Sequence, residues 1–298
     1  MTRDLVASIR ARLMNRFKAS AEDFDLILTR YVIERFLYRM SLTPAREIYW
    51  LKGALLFDLW FDIPHRPTRD ADFLALGSMD IEELTCAMRE ICNVAVADDG
   101  MVFDADSIKI EEIREDARYG GLRVRLLGRL GRARCSVQLD VGYGDAVSPG
   151  PDEAIYPTLL DDQPAPHLRV YPRAAMAAEK LEAIVSLGMF NSRMKDYFDL
   201  RALAREGLLD AHLLGPAIAA TFQRRETVVP VEMPLGLSDE FAGDAVKRTQ
   251  WKAFLGKHRL DAPSLAIVIE EIRNFVAPAL ALARQQESAS SQFRRADH

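Results

Sequence analysis

The spacing of apolar residues in the first half of the chain alternates between helix and strand periods. After the cap-like segment Ser20-Ala-Glu-Asp23, apolar residues recur three and four positions apart, which predicts a helix that ends before Pro44. Further helices are predicted over Ala54–Phe61 and Met79–Val94. Short apolar runs bounded by turn residues predict strands over Glu47–Lys52, Arg69–Leu76, Ile108–Ile113, Leu122–Leu127 and Cys135–Val141.

The second half follows the helix period almost throughout. The segment Ser148–Pro172, rich in proline and acidic residues, is predicted to be a connector, and the polar segment Gln285–His298 a flexible tail. We therefore expect an α+β protein with a mixed-sheet core over residues 1–165, a helical domain over 166–284 and a tail over 285–298. The predicted helices of the second half are Arg173–Leu187, Ser192–Arg205, Ala211–Gln223, Glu240–Leu255 and Pro263–Leu282.

Composition narrows the class of protein. The 298 residues are 49% hydrophobic and 28% charged, which excludes a disordered chain. A formal net charge of −5 argues against a protein that coats nucleic acid by bulk charge, although a local basic surface remains open. The three cysteines form no C-x-x-C pair, so neither a disulfide framework nor a zinc site is expected. Without a signal-peptide pattern or a membrane-length apolar run, we expect a cytoplasmic protein that does not contact membranes.

The segment Asp70-Ala-Asp72 is the strongest candidate for chemistry. Two other D-x-D segments occur in the chain, so the spacing alone is weak evidence. On a strand, however, residues two apart share a face, and both carboxylates would project together. A divalent cation such as Mg²⁺ relieves their repulsion. The alternative is a pair of solvated carboxylates accompanied by Arg66 and Arg69, and the spacing does not decide between the two.

A third carboxylate comes from the strand predicted over Cys135–Val141. Alternation places Asp140 on the opposite face from Val137, Leu139 and Val141. If this strand pairs beside the strand of Asp70, three carboxylates converge, which is the geometry that holds two Mg²⁺ ions about 4 Å apart.

Lys52-Gly53 marks a turn between a predicted strand and a predicted helix. Glycine allows the backbone to approach a phosphate group closely, and the N-terminus of a helix offers N–H donors. A plain strand-to-helix turn is the alternative.

Ionisable residues also interrupt apolar helix faces in the second half. Lys180 borders the apolar stripe of one helix, and Asp196 and Asp199 lie on the packing face of the next. They could form a functional cleft or a buried structural ion pair, and Asp196 also suits a helix N-terminus electrostatically. Both interpretations remain open.

Arginines are clustered on the predicted hairpins. They could form a phosphate track for RNA. The alternative is a solvated sheet face balanced by Glu111, Glu112 and Asp116. The arginines are Arg114, Arg118, Arg123, Arg125, Arg129, Arg132 and Arg134.

The order of these motifs resembles the AbiEii/AbiGii-type nucleotidyltransferase toxins, a branch of the DNA polymerase β-like nucleotidyltransferase superfamily. The resemblance covers residues 48–203 in order and extends more loosely to Leu255. The matching segments are Leu51-Lys-Gly53, Arg66-Pro-Thr-Arg-Asp70-Ala-Asp72, Leu139-Asp140-Val, Ala178-Glu-Lys180, Arg193-Met-Lys-Asp196-Tyr-Phe-Asp199-Leu and Gln250-Trp-Lys-Ala-Phe-Leu255.

The resemblance implies a nucleotidyltransferase-like core followed by a helical domain, with the site between them. It implies Mg²⁺ as cofactor, an NTP as substrate, a cognate antitoxin as partner, and an RNA acceptor, the tRNA 3′ end above all. Its implied roles are metal binding by Asp70, Asp72 and Asp140, catalysis by Asp70, Asp72, Lys180 and Asp196, and nucleotide binding by Lys52, Gly53, Arg66, Thr68 and Lys180. Arg193, Lys195 and Asp199 are further candidates.

One position departs from the superfamily pattern. Its first turn carries Gly-Ser, whereas this chain has Gly53-Ala54, so a hydroxyl that could bind phosphate is missing. Two alternatives to RNA modification remain open: transfer to a protein or a small molecule such as an antibiotic, and a non-catalytic module that acts through its antitoxin partner. The missing hydroxyl favours the second of these.

Overall fold

The computed structural model describes residues 3–20, 22–61, 65–77, 79–116, 119–144 and 150–296. The chain forms two compact units, of which the first reaches Tyr171 and the second consists mainly of the residues from Pro172 onward. The expected mixed α+β architecture is confirmed. Among the described residues, no helix is both long and apolar enough to cross a bilayer.

The first unit is built on a mixed sheet of seven strands in the order β3-β4-β5-β2-β1-β7-β6. Strands β2 and β5 are parallel, as are β1 and β7, and the other neighbouring pairs are antiparallel. The strands are β1 (Tyr49–Lys52), β2 (Asp70–Leu76), β3 (Met101–Asp116), β4 (Tyr119–Leu130), β5 (Ala133–Gly144), β6 (Asp152–Ile155) and β7 (His167–Val170).

Helix α2 is the central helix of the first unit and packs against β3, β5 and β7. It is buried around most of its circumference, so its few charged residues need partners. Arg39 holds the carboxylate of Asp99 with two hydrogen bonds of 2.7 and 3.0 Å. The helices of this unit are α1 (Arg3–Ala19), α2 (Phe24–Ser41), α3 (Ala45–Ile48), α4 (Leu56–Trp60) and α5 (Ile81–Asn93).

The segment predicted to be a connector belongs to the sheet. Strand β7 pairs with β1 and β6, and the backbone N–H of Tyr171 donates to the carbonyl of Leu51 at 2.8 Å. The first unit therefore ends at Tyr171 and not at residue 165. Strands of four residues, set among prolines and acidic residues, leave no alternation long enough to detect.

The second unit is helical, as expected. The single helix predicted over Glu240–Leu255 is divided at Asp244, whose carboxylate caps the second part by accepting from the N–H of Lys247 at 2.8 Å. The last helix continues to Ala296, through most of the predicted tail. The helices are α6 (Arg173–Leu187), α7 (Met194–Glu206), α8 (Ala211–Arg224), α9 (Asp239–Gly243), α10 (Ala245–His258) and α11 (Leu265–Ala296).

Candidate functional site

The two carboxylates of the D-x-D segment share one face of β2, as predicted. Asp70 and Asp72 are partly exposed, whereas Ala71 and Phe73 are 0% and 2% exposed. The hydroxyl of Thr68 donates to Oδ1 of Asp70 at 2.6 Å, which fixes the orientation of that carboxylate. The local sequence therefore places two hard oxygen ligands side by side at an accessible edge of the core.

Strand register aligns charged residues from four neighbouring strands. Asp72 lies opposite Lys52 of β1 on one side and opposite Asp140 of β5 on the other. Asp140 in turn lies opposite Arg123 of β4. The cross-strand row therefore reads Lys52, Asp72, Asp140, Arg123, with two carboxylates flanked by two cations. Opposite charges across strands stabilise this register, and the outer cations offset the repulsion between the acids.

Asp140 is engaged by Arg123 through both carboxylate oxygens. The Nε and Nη2 atoms of Arg123 each donate to Asp140 at 2.7 Å, a bidentate charge-assisted pair. The hydrogen bond to Asp140 also raises the pKa of Arg123. Among the described residues, no group of three or more acidic, histidine or cysteine side chains is arranged to hold a metal ion. Strand β5 does pair beside β2, as the predicted convergence required, and this places Asp140 next to Asp72. Metal binding by Asp140 stays a prediction.

The Lys52-Gly53 turn is a strand-to-helix turn, as predicted, and it supports Asp72. Gly53 has φ +75°, and a Cβ atom at this position would lie 1.9 Å from Oδ2 of Asp72. The carboxylate thus packs directly against the glycine Cα. The helix that follows the turn, α4, has only five residues, so its dipole contributes little to binding an anion. Gly53 is required because it leaves room for the Asp72 carboxylate.

We expect Gly53→Ala to displace Asp72, since the methyl group and the carboxylate cannot occupy the same volume. Any catalytic activity that depends on this carboxylate should be abolished. Gly77→Ala is the matched control, because Gly77 also has a positive φ, +94°, but an added Cβ would meet nothing within 4 Å. Both variants should lose about 1–2 kcal/mol of stability from backbone strain, measured by urea unfolding. Loss of activity confined to Gly53→Ala is expected, and equal activity in the two variants would contradict this role.

The donor set of Asp70 and Asp72 fits a magnesium ion. Mg²⁺ prefers hard oxygen ligands and is commonly bound by one or two carboxylates together with substrate phosphates. The two carboxylates are partly exposed and held by Thr68 and Gly53. They are therefore available to a cation that a substrate would bring.

A second charged cluster, in the helical unit, is centred on Lys180 of α6. Its Nζ donates to Oδ1 of Asp196 at 2.9 Å and to Oδ2 of Asp199 at 2.7 Å, both on α7. Asp196 and Asp199 are fully buried, and the lysine side chain is 11% exposed. The ion pair between Lys180 and Asp196, one of the two alternatives that the sequence left open, is present, and Asp199 joins it. The contact does not exclude a functional role for Lys180. Two buried carboxylates sharing one ammonium hold that ammonium in a fixed position.

Neighbouring residues complete this cluster. Nε of Arg193 lies 2.7 Å from Oδ2 of Asp196, so both oxygens of that carboxylate face cations. Burial and the charge of Asp196 raise the pKa of Tyr197, whose hydroxyl donates to the carbonyl of Gly236 at 2.9 Å. Tyr197 therefore stays protonated and structural. Lys195 points to the exposed side of α7.

Most of the described arginines on the hairpins have acidic partners. Arg125 pairs with Glu111 at 2.7 Å and Arg129 with Asp104 at 2.6 Å, which favours the balanced sheet face over a continuous phosphate track. Of the predicted partners, Glu111 is confirmed. Arg118 lies outside the described residues, and so do the side chains of Arg114 and Asp116.

Sequence reasoning missed the role of Arg123 as the partner of Asp140, because the register between two strands cannot be read from the sequence of one strand.

The predicted nucleotide-binding residue Arg66 is partly exposed and lies in the loop before β2, two residues before Thr68.

Comparison with solved structures shows the same fold in proteins of low sequence identity. MenT4, a nucleotidyltransferase toxin from Mycobacterium tuberculosis H37Rv, is 20% identical, with a TM-score of 0.51 and coverage of 95% of this chain and 99% of that one. JHP933 from Helicobacter pylori is 14% identical, with a TM-score of 0.50 and coverage of 94% and 100%. Comparison with curated proteins gives no match.

The family model of the nucleotidyl transferase AbiEii toxin, of type IV toxin–antitoxin systems, matches residues 35–279. This range contains β2 with its two carboxylates, the Gly53 turn and the Lys180 cluster. Membership in such a family implies a nucleotide substrate and an antitoxin partner. The match covers most of the chain, so this protein belongs to the AbiEii nucleotidyltransferase toxin family.

Proposed function

We propose that this toxin transfers a nucleoside monophosphate from an NTP to the 3′ end of an RNA, with tRNA as the acceptor, in a Mg²⁺-dependent reaction. The observation that carries the proposal is the pair Asp70 and Asp72, both partly exposed on one face of β2. A hydroxyl at the end of the acceptor attacks the α-phosphate, and pyrophosphate leaves. The family supports the reaction class. The choice of RNA as acceptor is our proposal, which rests on the resemblance of the sequence motifs.

Asp70 and Asp72 are the residues that would hold Mg²⁺. When bound, the metal neutralises triphosphate charge and lowers the pKa of the attacking hydroxyl. Thr68 keeps Asp70 oriented through its 2.6 Å hydrogen bond, and Gly53 leaves the space that Asp72 occupies. These fixed positions matter because a catalytic carboxylate displaced by about 1 Å loses much of its effect.

Lys52 and Arg66 are the cations that we assign to the phosphates in the first unit. Lys52 is the last residue of β1 and lies opposite Asp72, and Arg66 lies in the loop before β2, as does Thr68. With Ala54 in place of the superfamily serine, phosphate binding depends on these cations and on the backbone of the turn.

Lys180 is the nucleotide-phosphate contact that we assign to the helical unit. Its two aspartate partners fix the position of the ammonium before any nucleotide binds. Asp196 is fully buried, with one oxygen on Lys180 and the other beside Arg193. A carboxylate in that environment is better suited to positioning Lys180 than to accepting a proton from the acceptor. We therefore assign Asp196 a positioning role and Asp199 the same role.

We assign RNA as the acceptor because a few exposed arginines can bind the phosphates of its backbone. Arg132 and Arg134, at the β4–β5 turn, are exposed and have no ion pair among the residues described here. Two arginines on an exposed turn are suited to contact phosphates of a nucleic-acid backbone. We place the reaction in the cytoplasm, where tRNA, NTPs and a co-expressed antitoxin are all present.

The acceptor can be identified by following the label. Purified protein, Mg²⁺ and each α-³²P-labelled NTP are incubated in parallel with total tRNA, with a protein extract free of nucleic acid, and with a small-molecule fraction. We expect label in the tRNA band from at least one NTP, and none with the Asp70→Asn variant. Label confined to a protein band or a small product would overturn the assignment of RNA as the acceptor, while nucleotidyl transfer itself would still be supported. Absence of transfer to every pool from folded protein would overturn the proposed function.

A further inference from the structure

The helical unit contains a cavity of about 590 Å³ whose lining does not include Lys180, Asp196 or Asp199. It lies between the end of α9, one face of α10 and the start of α11. Its volume is within the range of small-molecule binding sites, about 300–1,000 Å³. Residues on its wall include Gly243, Arg248, Trp251, Lys252, Leu255 and Leu265.

Two cationic side chains line the cavity, one helical turn apart. Arg248 and Lys252 occupy positions i and i+4 of α10 and are exposed. Neither has an ion-pair partner among the side chains that the structure describes in this unit, which end at Glu287. The acidic residue on the same wall, Asp239, is already paired with Arg273. The charged residues on the wall are therefore two cations and one carboxylate that already has a cationic partner, a balance that favours an anionic ligand.

The start of α11 adds to this field. Ser264, Leu265 and Ala266 line the cavity at the N-terminal end of a 32-residue helix that has no acidic residue in its first turn. The first N–H groups of a helix are donors without intrahelical acceptors, and the helix dipole favours negative charge there. Together with Arg248 and Lys252, this end of α11 forms a surface that suits a phosphate.

The rest of the wall is apolar and rigid. Trp251 is 2% exposed, its Nε1 donates to the carbonyl of Pro263 at 3.0 Å, and its ring stacks on Phe254 with centroids 5.8 Å apart. Leu255 and Pro263, which are partly exposed, form the accessible part of the apolar wall. A fixed apolar wall beside a cationic one fits a ligand with a flat apolar body and a phosphate at one end.

We propose that this cavity is a second nucleotide site, which binds a nucleoside phosphate through residues other than the D-x-D carboxylates. The phosphate contacts Arg248, Lys252 and the first turn of α11, and the base lies along Leu255 and Pro263, which line the cavity and are partly exposed. The ligand has two possible sources, a free nucleotide or the terminal nucleotide of an RNA. Because the site is defined by nucleotide binding alone, it does not depend on the proposed nucleotidyl transfer.

The test uses the full-length Asp70→Asn variant in EDTA, so that binding through a metal at Asp70 and Asp72 is suppressed. AMP, GMP, CMP, UMP, inorganic phosphate and a cytidine trinucleotide are titrated by calorimetry. We expect at least one mononucleotide to bind saturably and tighter than inorganic phosphate. Arg248→Ala and Lys252→Ala should each weaken this binding about tenfold, since each removes a charged hydrogen bond. Lys257→Ala, an exposed lysine of α10 outside the cavity, should not change it.

A cavity-filling variant provides an independent test. Ala266→Phe projects a ring into the cavity from an exposed position, and Ala253→Phe adds the same ring on α10 outside it. We expect loss of binding only for Ala266→Phe. Trinucleotide binding that responds to the same variants assigns the ligand to RNA, and its absence assigns it to free nucleotide. No saturable binding of any mononucleotide, or binding that Arg248→Ala, Lys252→Ala and Ala266→Phe leave unchanged, would overturn the proposal.

Discussion

Asp70→Asn and Asp72→Asn are each expected to reduce nucleotidyl transfer about a thousandfold or more. The amide is neutral and binds Mg²⁺ poorly, so the variant loses stabilisation that acts mainly in the transition state. Both residues are partly exposed on β2, and the fold should therefore remain intact. The measurement is the single-turnover rate of label transfer at saturating NTP, with circular dichroism to verify folding.

The matched control is Asp106→Asn, from another D-x-D segment of the same chain. Its side chain is 96% exposed on β3, and we expect wild-type transfer. If Asp70→Asn and Asp72→Asn retained transfer at the level of Asp106→Asn, the carboxylates of β2 would not be the metal ligands.

Lys180→Met is expected to lose both stability and activity. It removes the ammonium that Asp196 and Asp199 share and leaves two fully buried carboxylates without that partner. Breaking a buried ion pair from one side costs about 3–5 kcal/mol, which urea unfolding can measure. Transfer should fall with it, since the nucleotide phosphates lose a cation.

A neutral triple variant separates these two effects. Lys180→Met combined with Asp196→Asn and Asp199→Asn removes the uncompensated charges, so most of the stability should return while transfer stays low. Recovery of transfer together with stability would show that the cluster is structural only. It would contradict the phosphate-binding role of Lys180.

The elements that the sequence predicted well are those specified by local pattern. The alternation Asp70, Ala71, Asp72, Phe73 determines which side chains enter the core, so the shared face of the two carboxylates follows from four residues. The helical spacing of Asp196 and Asp199 likewise predicted carboxylates on the packing face of α7.

Long-range contacts could not be predicted in this way. The pairing of Arg123 with Asp140 depends on the register between β4 and β5. The contact between Gly53 and Asp72 depends on the pairing of β1 with β2, which brings together residues from separate predicted strands. Each depends on tertiary structure that no single segment encodes.

The predicted element boundaries were wrong where the amino-acid composition obscured the periodic pattern of apolar residues. Strands β6 and β7 have four residues each and were hidden among prolines and acidic residues. The helix through 285–296 was hidden because the segment is polar, although alanine, glutamine and arginine have good helix propensity.

The most direct test of the central claim compares the position of the label within the NTP. The protein is incubated with Mg²⁺, acceptor RNA and the same NTP labelled at either the α- or the γ-phosphate. Nucleotidyl transfer through Asp70 and Asp72 predicts that α-label enters the acceptor while γ-label leaves as pyrophosphate, and that both signals disappear in Asp70→Asn. Transfer of γ-label to the acceptor, or α-label transfer that persists in Asp70→Asn, would contradict the account.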